Sequence, residues 1–413
     1  MTSLGGHINH IYEDLDLRFR DLKIIIKGLG FGDFDVYEKF DGQSLFICWD
    51  FNKESLIVAR NKQNIKDGGL DRYGISLKFG DRPEVESLFL GAFDVLSQAL
   101  GKLEYNVKTQ IFGSMGSVWF PVEILNPELL NTIQYNGKHI IFHNHYPVLF
   151  GFDGEPITRG LPRNMEILKK FIPLMNEGLD DWKIHGPKTF SLKNVDQFVI
   201  ENACKKIDEI RKKAGGQDGM TIRTFVSERL RKDMERFPMV PEHVRAGLSK
   251  SIVKITGAPK TKDLLSSLEL QTKKHAQTML EEEKKVILPK ILKPIENTVH
   301  KFSSTLLSMI GSDYIENPES ESTRIRKEYD RCSDIIRNGG NIKHQNLLND
   351  MHPKIGSGKV TMEGLVFEYS DKLFKVTGAF APMNRVIAAI KYENKKRQIN
   401  PNDVPLALFV KSS

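Results

Sequence analysis

Glu38-Lys39-Phe40-Asp41-Gly42 sets a lysine at the entrance of a tight turn, with a carboxylate before it and a carboxylate and a glycine after it. A lysine that attacks phosphorus must shed its proton near neutral pH, which calls for burial or neighbouring cations. It also needs a backbone that can come close to phosphate oxygens, and a glycine at position 42 permits that approach. Asp-Gly is equally a favoured pair in a surface hairpin turn, so the pentapeptide alone leaves an ordinary turn lysine open.

Five segments in order extend the pattern. Lys39-Phe40-Asp41-Gly42 resembles the KxDG nucleotidyl-attachment motif of the covalent nucleotidyltransferases, which comprise DNA ligases, RNA ligases and mRNA capping enzymes. IVARNK resembles the family's second element and aligns Arg60 with an arginine at the ribose and the strand terminus. WFPVEILNP aligns Glu123 with a strand-borne glutamate at the ribose, and HIIFHN aligns Phe142 with the aromatic that stacks on adenine. A flat apolar face suits a nucleobase in any site.

Glu363-Gly364-Leu365-Val366 resembles EGxV, whose glutamate holds a divalent metal, and Lys372-Leu373-Phe374-Lys375 resembles the lysine strand that contacts the α-phosphate. Each segment has a plainer reading as well. Glu123 can be an outward strand residue, Phe142 a core residue, and EGLVFEYSDKLFKV an alternating hairpin. The family's final motif separates its lysines by one residue, whereas two intervene here, so hairpin register decides between them. A two-residue turn at Ser370-Asp371 predicts Lys372 on the Glu363 side and a three-residue loop predicts Lys375; the flanking residues favour Lys375.

The resemblance is nearest to phage-type RNA ligases, because Glu38 precedes the lysine and Ser44-Leu45 follow the glycine, although Gln43 stands where those enzymes carry serine or threonine. Too few residues follow Lys375 for the OB-fold that DNA ligases and capping enzymes place there. The resemblance therefore implies ATP and Mg²⁺ (or Mn²⁺) as cofactors, with Glu38, Asp41, Gly42, Arg60, Glu123 and Phe142 around the nucleotide. It implies Lys39, Glu363, Lys375 and Lys372 as catalytic residues and Glu363 as the metal ligand. The partner is a nucleic acid, RNA before DNA. A GTP-using capping guanylyltransferase and an inactive ligase-fold binding protein remain as alternatives.

The elements that must position these residues are legible as periodicities. Helical spacing runs over 11 to 30 and over 83 to 102, and strand character marks DVYEKF, SLFICWDF, SLIVAR, NVKTQIF, SVWFPVEIL, HIIFHNH and PVLFGF, with FDGEPI as a turn. From about 160 apolar residues recur every three to four positions, and strand signals return only at 358 to 377, before a final amphipathic helix. This predicts an α+β chain. Residues 1–158 and 356–413 together form an antiparallel-sheet nucleotidyltransferase domain, ATP-grasp-like as the resemblance implies, with a large helical domain inserted over 159–355.

That helical stretch carries Lys205, Lys206, Arg211, Lys212, Lys213, Arg229, Arg231 and Lys232, which could follow a phosphate backbone or simply be solvated faces. Gln217-Asp218-Gly219-Met220 is a weaker rival for the fourth motif, lacking the glutamate and a lysine strand. His143 and His145 form a pair too small for a zinc site without further ligands.

The totals agree with a globular, multi-domain chain. Its 413 residues are 40% hydrophobic, and 60 basic residues against 53 acidic ones give a formal charge of +7, a mild excess that fits a polyanionic partner. Three scattered cysteines speak against a disulfide framework and for a reducing cytoplasm. The opening residues are charged throughout, unlike a signal peptide, and no apolar run reaches membrane-spanning length, so no membrane association is expected.

Overall fold

The computed structural model describes residues 8–397, apart from 129–131, 144–146, 152, 160, 191, 193–194, 214, 339–341 and 357. Twelve strands are described: β1 (Asn9–His10), β2 (Val36–Lys39), β3 (Gln43–Asp50), β4 (Ser55–Ala59), β5 (Val118–Leu125), β6 (Lys138–Phe142), β7 (Val148–Phe150), β8 (Pro156–Arg159), β9 (Trp182–His185), β10 (Thr189–Phe190), β11 (Gly364–Tyr369) and β12 (Lys372–Thr377). They form two largely antiparallel sheets. One runs β1-β12-β11-β2-β10, and the other runs β4-β3-β5-β6-β9 with β7 and β8 attached through β5.

The first sheet joins the two ends of the chain. β2 pairs with β11, so that Lys39 lies opposite Gly364, and β12 takes β1 alongside it in parallel. The β11–β12 hairpin closes through Ser370 and Asp371, both at positive φ (50° and 59°), the backbone of a two-residue turn matched to strand twist. In the second sheet β3 and β4 are joined through Asn52-Lys53-Glu54, held by the Asp50 carboxylate, which accepts from the Asn52 and Lys53 amides at 2.9 and 3.2 Å.

Helices cover these sheets. Pro83–Gly101 begins with its proline in the first turn, where the missing N–H costs nothing, and buries Val85, Leu88, Phe89, Ala92, Phe93, Leu96, Ala99 and Leu100 along one face. Phe19–Phe31 packs its buried face, Leu22, Ile25, Ile26 and Leu29, into a core shared with β11, β12 and the helices Gln197–Lys213 and Leu288–Ser308. A third core gathers Phe40, Leu125, Tyr135 and Ile141 with the helices Pro318–Arg337, Ile342–Ile355 and Phe380–Arg397.

Three local expectations are corrected. NVKTQIF lies in a helix, Tyr105–Phe112, because Val107 and Ile111 repeat at the helical interval and Ile111 and Phe112 bury together. Residues 11–18 are turns, and the first helix begins only at Phe19, where the Arg18 amide donates to the Asp21 carboxylate at 2.8 Å. The stretch read as helical also contains strands: β9 extends the second sheet beside β6, and β10 extends the first beside β2. Strands of four and two residues are too short to show a period.

All three cysteines are buried free thiols. Among the described residues no helix is long and apolar enough to cross a membrane.

Candidate active site

Strand alternation determines what surrounds Lys39. Cross-strand register aligns Lys39 with Gly364 and Thr377, and aligns Tyr37, two residues earlier, with Val366, Lys375 and His10. Residues two apart share a face, so Lys39, Lys375 and His10 point to the same side of the first sheet. Glu363 sits just before β11, outside the pleat, and its Oε1 accepts a hydrogen bond from the Lys39 ammonium.

The hairpin takes the two-residue turn, yet Lys375 is on the Lys39 face. Alternation counted from Glu363 misleads because that residue is not in the strand; counted from Lys39 it puts Lys375 on the shared face. Lys372 is on the opposite face, half exposed, with its Nζ 2.8 Å from Asp14 Oδ2.

The site is a knot of opposed charges. Burial works against the Lys39 ammonium, but the Glu363 carboxylate, with Glu123 and Asp41 behind it, more than offsets this and carries the amine above the ordinary lysine range. Lys375 is pushed the other way, by burial first and then by Lys39 and Arg385, against the pull of Glu13 and Glu363. Beside the Glu363 carboxylate the Lys39 amine is protonated.

The second sheet supplies the opposite wall. Glu123 is buried on β5, with Oε2 3.1 Å from His143 Nε2, and its charge is felt at both Lys39 and Arg60. Arg60 ends the β3–β4 hairpin. Its guanidinium donates to the Ser44 carbonyl and to Gln43 Oε1 at 3.4 Å, so Gln43, the departure from the family pattern, helps to hold it.

Asp41 is turned to structure. Its amide donates to the Tyr135 hydroxyl at 2.8 Å, and its Oδ2 accepts from the Thr132 amide at 3.1 Å. Gly42 is required by packing: a Cβ there would lie 2.7 Å from the Ile124 carbonyl oxygen and 2.8 Å from Glu123 Cγ. Gly42→Ala is therefore expected to destabilise the protein by about 1–3 kcal/mol, read as a lowered denaturant midpoint at unchanged slope.

Glu38, on the other side of β2, is 6% exposed. Burial pushes its carboxyl up to about 8, against a hydrogen bond from Ser312 that lowers it and with the Asp313 charge adding to the rise. A folded-state pKa above the ordinary value means that the native state holds this proton more tightly than the unfolded chain. The associated stability is complete below the ordinary carboxylate pKa and is lost as pH rises toward 8. Glu38→Gln should abolish that part of the alkaline loss, so the melting temperature of the variant should fall less than that of the parent between about pH 6 and about pH 9.

Phe142 lies away from the Glu123 side of its sheet. It is fully buried, packs edge-on against Phe120 at 5.9 Å and sits opposite Val122, on the face of the second sheet away from Glu123. The residues of this segment on the Glu123 side are Ile141, opposite Glu123, and then His143. His145 lies outside the described residues.

Two neighbours of the site escaped sequence reading. His10 is buried against Lys375, and desolvation with that charge holds its imidazole far below the ordinary range, neutral; it stacks on Tyr12 at 4.9 Å. Arg385, from the last helix, adds a cation felt at both Lys375 and His10. The pairing of β1 with β12 and the docking of a distant helix leave no local sequence signature.

Elsewhere, Asp218 of the rival motif clasps Lys23 at 2.8 Å, tying its loop to the first helix. Of the basic helical residues, Arg211 is engaged by Asp208 and the Gly216 carbonyl, and Arg231 lies 3.8 Å from Glu235. Lys205, Lys212, Lys213, Arg229 and Lys232 lie exposed.

Among the described residues no group of three or more His, Cys, Asp or Glu is arranged to hold a metal. Mg²⁺ usually takes only one or two carboxylates, with phosphate oxygens and water completing its shell, and Glu363 is a hard-oxygen donor suited to that role. No protein-family model, no curated protein and no solved structure matches this chain.

Proposed function

We propose that this protein is an ATP-dependent polynucleotide ligase, acting on RNA in preference to DNA through a covalent lysyl-AMP on Lys39, in the cytoplasm. What carries the reading is convergence. Lys39 and Arg60 from the first part of the chain, with Glu123, meet Glu363 and Lys375 from its last part, and the motif order, the shared sheet face and the charge pattern agree.

The chain's own groups suit the first step. The Lys39 amine, once deprotonated, attacks the α-phosphorus of ATP, a P–N bond forms and pyrophosphate leaves. Lys375, on the same face, is the cation for the charge that builds on the α-phosphate oxygens, and Arg385 reinforces it. Glu363 restrains the nucleophile, because it keeps the amine as an ammonium. Magnesium, when bound, supplies charge neutralisation on the phosphates, and Glu363 is the residue that would hold it, which also loosens its grip on the Lys39 proton. Arg60 and Glu123 then bracket the ribose side, and the AMP passes to a 5′-phosphate before a 3′-hydroxyl displaces it.

Parallel incubation with α-labelled ATP and GTP in Mg²⁺, followed by 5′-phosphorylated RNA and DNA strands, tests this. ATP label on the protein, chased into joined RNA, is expected. GTP label with no joining would replace the reading with capping, and no label from either nucleotide would leave a non-enzymatic binding protein.

A further inference from the structure

A concave site opens at the β9 edge of the second sheet. It is a cleft of about 560 Å³ beside the β6–β9 pair, separated from the core under Lys39 by Tyr314, whose ring packs edge-on against Phe40 at 5.2 Å, His139 at 5.3 Å and His185 at 5.2 Å. β9 runs parallel to β6, with His139 opposite Lys183 and Ile141 opposite His185. The alternation therefore turns His139, Lys183 and His185 to one face.

The two imidazoles touch through nitrogen, His139 Nδ1 to His185 Nε2 at 3.1 Å, and His139 Nε2 lies 2.9 Å from Asn136 Oδ1. An amide oxygen only accepts, so His139 Nε2 carries a proton and its Nδ1 accepts from His185 Nε2–H, which leaves the lone pair of the neutral pair on His185 Nδ1. Lys138, Lys183 and Lys188 surround this pair, with Asp181 and Asp313 also in the lining. Lys138 is drawn to Glu128 at 2.9 Å and Lys188 to Asp313, while Lys183 is exposed and its charge bears on both histidines.

The imidazoles are thus held neutral by partial burial and by a neighbouring ammonium: His139 is lowered to about 4, and His185 is lowered as well. A cationic field that resists a further positive charge is a field that an incoming anion relieves, and the anion gains the imidazolium it induces as a charge-assisted donor. The Lys183 ammonium and the Nδ1–H that His185 gains on protonation are donors on one wall for the oxygens of a tetrahedral anion, and the volume leaves room for a nucleoside attached to it.

We propose that this cleft is a phosphate-binding site that seats a phosphate group between Lys183 and the His139–His185 pair. The ligand is either free phosphate or the 5′-phosphate of a strand, and the second source rests on the ligase reading above.

The test is a titration of the full-length protein with inorganic phosphate, and with a short RNA carrying either a 5′-phosphate or a 5′-hydroxyl. Binding is followed by calorimetry and by the ring-proton NMR signals of the histidines. Phosphate is expected to raise the titration midpoints of His139 and His185 by about one pH unit. Lys183→Gln and His185→Gln should each weaken binding on the order of tenfold, the loss of one charge-assisted bond, and Lys183 is exposed enough that its variant should keep the fold. A preference for the 5′-phosphorylated RNA identifies the strand end; equal binding of the two RNAs, with inorganic phosphate bound, identifies the free anion. Lys39→Ala should bind like the parent, so the cleft and the adenylation site can fail separately. Unmoved histidine signals together with no heat from either phosphate source would overturn the proposal, as would binding undiminished in both variants.

Discussion

Lys39→Ala is expected to abolish transfer of labelled AMP to the protein, a fall on the order of 10⁴-fold or more, since removing a nucleophile removes the covalent route and not merely part of its assistance. Lys39 lies at the end of β2 with its side chain partly exposed, and β2 pairs with β11 through the backbone, so its truncation leaves the sheet pairing in place. The circular dichroism and melting profile of the variant should stay close to the parent's. Lys375→Ala should behave differently: the nucleophile remains, and the loss is that of one electrostatic contact to a developing charge, about 10²–10³-fold. Lys372→Ala should leave adenylation unchanged, because its side chain pairs with Asp14 on the other face of the hairpin. Equal losses at Lys372 and Lys375 would contradict the assignment of faces.

Glu363→Gln carries the second large effect, and its signature is a pH profile. The parent amine is held above the ordinary lysine value by Glu363, so only a small fraction is unprotonated at neutral pH, and adenylation should rise about tenfold per pH unit through the alkaline range. The glutamine keeps the shape and removes the charge. Burial then stands against Glu123 and Asp41 alone, and the amine should release its proton at a lower pH than in the parent. The rising limb should move at least about one unit toward acid, while the maximal rate drops by about 10² because the residue suited to the metal has lost its charge. A profile unmoved in the variant would show that Glu363 does not govern the nucleophile.

What could be read in advance, and what could not, follows from the range of the forces involved. Lys39 and Lys375 sit in short strand segments that period-two alternation marks, whereas Glu363, just before β11, is marked by motif order alone. Phe142 shows the limit of motif matching: the alternation in HIIFHN puts Phe142 and Ile140 on one face and Ile141 and His143 on the other, and only the register with Glu123 shows which face is the site. The same segment carried the answer, had alternation been counted from Glu123.

In sequence Gly42 reads as room for phosphate approach, whereas the contacts that require a glycine are the Ile124 carbonyl and the Glu123 side chain across the sheet. His10, Tyr135 and Arg385 reach the site only through parallel strand pairing, a loop folded under Asp41 and a helix from the end of the chain, and such long-range contacts leave no local period. The edge strands β9 and β10 were hidden for a related reason, since four and two residues beside Gly186 and Pro187 carry too little pattern to stand out in a helical stretch. They nevertheless matter, because β9 brings His185 and Lys183 to the cleft.

The most direct test of the whole account is the intact mass of the protein after incubation with ATP and Mg²⁺, followed by peptide mapping. A gain on the order of 330 Da, the mass of one AMP residue, confined to the peptide containing Lys39 and reversed by added pyrophosphate, is the predicted result. An unchanged mass, or an adduct on a peptide without Lys39, would contradict it.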